Sequence, residues 1–163
     1  MVTSSSSVKV ELLERTDAYV VATWRRLMLL VWRGQATVAG VERSRAFFQA
    51  WAARQPGGAV FLIVLPPHGT GPPDETTRAA MQRAASAPGE YLKGMATLIE
   101  SEGFIAASVR AVMMRLQARG TQARAPNIFR TPAEVAPWAA AALQDREVTP
   151  EKLAEAIRVA REG

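Results

Sequence analysis

One run of residues limits the fold more than any other: Ala59-Val60-Phe61-Leu62-Ile63-Val64-Leu65, with Gly57-Gly58 before it and Pro66-Pro67 after it. An apolar run this short between such breakers is too short for a helix, and its β-branched and aromatic residues predict a strand. It lacks the alternation of a half-exposed strand, so both of its faces should be covered. Helical periodicity over residues 37–54 and 74–86, on either side of the run, supplies covering layers and predicts an α/β domain.

The flanking segments extend that sheet. Residues 8–13 and Tyr19–Trp24 are short runs rich in β-branched and aromatic side chains. The polar turn Glu14-Arg15-Thr16-Asp17 separates them, and together they predict an antiparallel hairpin. Leu27–Trp32, after Arg25-Arg26, predicts a third covered strand that ends at Arg33-Gly34. Over residues 37–54 the period becomes helical, with Val41, Ser44, Phe48, Trp51 and Ala52 on one face. Residues 66–73 form a Pro/Gly loop that fits neither strand nor helix. Asp74 is placed to cap the next helix, which Ala87-Pro88-Gly89 ends.

A strand follows within residues 91–100, its apolar part being Met95, Ala96, Leu98 and Ile99. A long helical pattern then covers residues 103–119, with Gly120 as its C-terminal stop. Asn127-Ile128-Phe129-Arg130 predicts a short last strand. Thr131-Pro132-Ala133-Glu134 is a capping box with proline at the first helical position, opening a helix to about Leu143. Thr149-Pro150-Glu151 opens a terminal helix to about Arg161. The expected organisation is a loose tail over residues 1–7, an α/β domain over 8–145 and a helical extension over 146–163.

Two of these phrases carry a family resemblance. Leu27-Met28-Leu29-Leu30-Val31-Trp32-Arg33-Gly34 ahead of a helix resembles the glycine-terminated strand before the first helix of the STAS domain. That is the anti-sigma-factor antagonist family, with its STAS-like relatives of unknown role. Asn127-Ile128-Phe129-Arg130-Thr131-Pro132-Ala133-Glu134-Val135-Ala136 resembles the last strand of the same family running into a capped helix. The likeness covers roughly residues 19–143. It implies a STAS-like fold: a single mixed β-sheet with N-terminal antiparallel strands and covering helices, here with an extra C-terminal helix. It also implies a bacterial-type regulatory module that binds a protein partner. Regulatory members carry an Asp-Ser-Ser type phosphorylation loop after the strand equivalent to residues 59–65. This chain has Pro66-Pro67-His68-Gly69-Thr70-Gly71-Pro72-Pro73 there, with no serine, so the fold and partner binding carry over and a phospho-switch would have to use Thr70, which otherwise reads as a turn residue.

Composition removes several functions. At 163 residues with 48% hydrophobic content, the chain fits one domain with a real core. No apolar run approaches the roughly 20 residues of a membrane span. The absence of cysteine excludes disulfide and thiol chemistry and fits a cytoplasmic location. A net charge of +5 invites a nucleic-acid partner, but the arginines are scattered rather than clustered, so no nucleic acid is expected.

Few residues suggest catalysis, and no cofactor or metal is expected. His68 has no second ligand at metal spacing and no identifiable acid/base partner. Gly69-Thr70-Gly71 lacks the lysine of a phosphate loop. Glu100, Ser101 and Glu102 lie between a strand and a helix, where Ser101 or Glu102 would serve as a cap. Arg110, Arg115, Arg119 and Arg124 run through and beyond one helix, where cations complement the dipole.

The helix over residues 103–119 is apolar on two sides. Ile105, Val109, Val112, Met113 and Leu116 form a core stripe, while Phe104, Ala107, Ala111 and Met114 fall on roughly the opposite side. Either the terminal helix covers this second line, or it is a surface for a protein partner or a second copy in a homo-oligomer. The leading expectation is a non-enzymatic interaction module that uses Phe104, Ala107, Ala111 and Met114. One alternative is a small-ligand or lipid binder, because a sheet with helices can enclose an apolar pocket. Another is an enzyme using the His68 loop and the Glu100–Glu102 rim.

Overall fold

The computed structural model describes residues 8–86, 89–118 and 127–163. The expected tail at residues 1–7, the Ala87-Pro88 break and the Gly120 stop lie outside them. The run centred on Leu62 forms β4 (Ala59–Val64), inside a six-stranded mixed sheet whose spatial order follows the sequence. β1 (Glu11–Arg15), β2 (Tyr19–Trp24) and β3 (Leu27–Trp32) are antiparallel neighbours. β4, β5 (Leu92–Leu98) and β6 (Ile128–Phe129) continue parallel to β3.

This order dictates the layers. Three successive parallel crossovers, all stepping in one direction, put their helices on the same face if each is right-handed. Those helices are α1 (Val38–Ala52), α2 (Glu75–Ser86) and α3 (Phe104–Ala118). The opposite face is left to α4 (Pro132–Leu143) and α5 (Pro150–Glu162). Alternation along the strands divides the core accordingly. Val20, Leu29, Val31, Leu62 and Leu98 are buried with α4 and α5, while Val21, Met28, Leu30, Trp32 and Phe61 are buried on the side of α1–α3.

Four helix starts are set by side-chain caps. Thr37 accepts from the Gly40 N–H at 3.1 Å, and Asp74 from the Thr77 N–H at 2.7 Å. Thr131 accepts from the Glu134 N–H at 3.2 Å, and Thr149 from the Lys152 N–H at 3.4 Å. The Glu134 carboxylate returns to the Arg130 N–H at 2.7 Å, one residue before the cap itself.

Several expectations are corrected. The first strand lies over Glu11–Arg15, so Glu14 and Arg15 belong to the strand and not to the turn. Thr16 is the reason: its hydroxyl accepts from Ala18 N–H (3.1 Å) and Tyr19 N–H (3.0 Å), which closes the turn within fewer residues. Gly103, not Ser101 or Glu102, stands immediately before α3, and its carbonyl accepts from the Ala107 N–H at 3.0 Å. On α3 the buried line is Ala106, Val109 and Met113, with Val112 half-buried. The side chains of Ile105 and Leu116 lie outside the described set. The extra C-terminal helix expected from Thr149-Pro150-Glu151 is present as α5, and its Leu153, Ala156, Ile157 and Ala160 are buried in the core beneath β2 and β3. Among the described residues, no helix is long and apolar enough to cross a membrane.

Candidate functional site

Between the sheet and the α1–α3 layer lies a cavity of about 420 Å³, within the range of roughly 300–1,000 Å³ usual for small-molecule sites. Its floor is the sheet: Leu30 and Trp32 of β3, Phe61 and Ile63 of β4, Leu92 and Met95 of β5. Val41, Phe48 and Ala52 of α1 form one wall, Met81, Ala84 and Ala85 of α2 another, and Val109 and Met113 of α3 complete it. Thr70, Gly71 and Pro73 from the proline loop, and Gly89, Glu90 and Tyr91 before β5, reach the lining as well.

The space arises from residue size. Alanines on α1 and α2 face large floor side chains, and the proline loop carries the chain across without filling the gap. An apolar side chain at each of these positions satisfies the helix and strand patterns whether or not the room between them is filled. Phe48 and Phe61 meet with ring centroids 5.3 Å apart, and Tyr19 meets Trp32 edge-on at 5.7 Å, which fixes the inner wall.

Polar groups in the lining are few. Ser44 is buried, and its hydroxyl donates to the Val41 carbonyl of its own helix at 3.0 Å. Gln49, Glu90 and Tyr91 are exposed at the surface. Arg45 differs from all of these. It lies four residues after Val41 and three before Phe48, on the apolar stripe of α1, and its Nε is buried with no hydrogen-bond partner among the described residues. The Trp32 Nε1 is buried and unpartnered in the same way.

The residues singled out from the sequence are not brought together into a catalytic arrangement. His68 is exposed and is not part of the lining, although Thr70 and Gly71 of its loop are. Asp74 caps α2, and the Thr77 N–H and hydroxyl hold its carboxyl below the usual carboxylate range. Glu100 pairs with Arg161 at 2.8 Å, joining the end of the sheet to α5. The Ser101 carbonyl accepts from Arg110 at 2.7 Å, and Arg110 also donates to the Ile99 carbonyl at 3.2 Å, so Arg110 is a structural tie. Glu102 and Arg115 are exposed, and Arg119 and Arg124 lie outside the described residues. Among the described residues, no cluster of three acidic or imidazole side chains is placed to hold a metal.

On α3, Ala107 and Ala111 are exposed, as is Met114 at 49%. Phe104 opens the helix, and its side chain lies outside the described set. The terminal helix does not cover this line, because α5 sits on the other face of the sheet.

The sequence offered an apolar pocket as an alternative, but not its place between the sheet and α1–α3, nor Arg45 in its lining. An arginine standing where the α1 stripe calls for an apolar residue was the available signal. No family model, no curated protein and no solved structure matches this chain.

Proposed function

We propose that this protein is a non-enzymatic binding protein for a small apolar ligand or lipid chain, held between the sheet and the α1–α3 layer. The observation that carries the reading is the cavity of about 420 Å³ with its nearly continuous aliphatic and aromatic lining. Burial of a methylene contributes about 0.8 kcal/mol, so a chain of matching length gains affinity steeply within such a space. The test is calorimetric titration with a series of n-alkanols from hexanol to dodecanol. Affinity should rise about fourfold per added methylene until the cavity is filled, and then level off. No binding, or a rise that continues without a limit, would reject the reading.

A second reading is favoured by the exposed line on α3. Phe104, Ala107, Ala111 and Met114 would form a docking face for a protein partner or a second copy, as a STAS-like regulatory module would need. Small residues permit close helix approach, and α5 lies too far round the sheet to compete for them. The two readings are compatible, since ligand occupancy beneath α3 would bear on the helix that carries the face.

A further inference from the structure

We propose that the ligand of this cavity carries an anionic head group and that Arg45 binds it. This rests on the apolar-ligand reading and adds the class of ligand. The starting point is an imbalance on α1. Arg43, two residues earlier, reaches solvent and pairs with Glu14 at 2.6 Å. Arg45 is turned to the apolar stripe, its Nε is out of contact with water, and none of the ion pairs among the described residues includes it. A buried donor on a charged group is costly to leave unmade, and native proteins rarely do so without a reason.

Hydrocarbon alone does not repair this. A wholly apolar ligand would fill the space beside Val41 and Phe48 and leave the Arg45 Nε still without an acceptor. An amphiphile whose chain lies over Phe61 and whose head group meets Arg45 satisfies both halves of the lining at once. The guanidinium presents a fixed fork of N–H donors that matches two oxygens of a carboxylate or a phosphate. Gln49, one helical turn further along α1 and also in the lining, is positioned to add an amide donor beside it. The Ser44 hydroxyl donates to the Val41 carbonyl of its own helix, and it does not serve as an acceptor for the Arg45 Nε, which has no partner among the described residues. Glu90, the other charged residue in the lining, is exposed and lies on the segment before β5, not on α1.

The test is titration of decanol, decanoate and decyl phosphate into wild type, Arg45→Met and Arg45→Gln at pH 8, where the carboxylate is ionised. Wild type should bind at least one of the two anions about tenfold or more tightly than decanol. The tighter anion then identifies the head group. In both variants the ratio of anion to alkanol affinity should fall to about one, with melting temperatures close to wild type. Equal affinity of wild type for decanol and both anions would overturn the proposal, as would a preference that survives in the variants. Decanol alone reports on the apolar site: if it fails to bind wild type while the anions also fail, the apolar-ligand reading falls and this proposal with it.

Discussion

Gly40 of α1 lies against the indole of Trp32 so closely that a β-carbon at position 40 would stand 2.7 Å from Cζ3 of the ring and 3.0 Å from Cδ1 of Tyr19. The helix can approach the sheet here because residue 40 has no side chain. Trp32 is almost fully buried and braced edge-on by Tyr19, so it can retreat only by giving up that contact and swinging into the cavity it lines. Gly40→Ala adds helix propensity worth up to about 1 kcal/mol, against an overpacking cost of about 1–3 kcal/mol. The clash should win, and the melting temperature should fall by a few degrees. An unchanged or raised midpoint would mean that α1 is free to shift off the sheet.

Arg25, in the turn between β2 and β3, grips Asp145, in the link between α4 and α5, with Nε and Nη2 at 2.6 and 3.1 Å from its two oxygens. Burial pushes the Asp145 carboxyl up, but the Arg25 hydrogen bonds and the Glu147 N–H together hold it below the usual range. A depressed folded value means that the stabilisation is complete above the unfolded value of about 3.9 and is lost as pH falls through the folded one. Asp145→Asn should therefore lower the unfolding free energy measured in urea at pH 7 by about 0.5–1 kcal/mol, the small value reflecting an Arg25 side chain that is 39% exposed. The gap between variant and wild type should narrow as the pH is taken down through the acid range. A gap independent of pH would remove the ion pair from the account.

Much of this architecture was legible because unbroken apolar runs such as Leu27–Trp32 and Ala59–Val64 read as covered strands without any tertiary information. The caps at Asp74, Thr131 and Thr149 were legible for the same local reason. What failed depended on distant partners. The first turn closes on the Thr16 hydroxyl, a choice that the neighbouring charges Glu14 and Arg15 obscure. The place of α5 followed from strand order, since parallel crossovers had already filled the other face. The cavity was hidden because Val41, Phe48 and Met81 show the same spacing over a filled core as over an empty one.

The exposed line on α3 gives a test of the second reading. Ala111 is exposed, so Ala111→Glu should leave stability within about 0.5 kcal/mol of wild type. If the line is a docking face between copies, the wild-type mass in light scattering should exceed that of a monomer, and the variant should return to the monomer mass. Equal monomer masses would dismiss self-association, while a large loss of stability would show that the line is packed within the chain.

The central claim is that the space above Phe61 and Met95 receives a ligand, and the most direct measurement is one that fills it. Ala84 on α2 is half-buried and faces the lining, so Ala84→Trp can place an indole in the cavity while the α4–α5 side of the core stays intact. Decanol would be titrated by calorimetry into wild type and Ala84→Trp, with the melting of both followed in parallel. The account predicts saturable one-to-one binding to wild type and at least a tenfold loss in the variant, whose fold still melts cooperatively. Equal binding by the two proteins, or none by wild type, would contradict it.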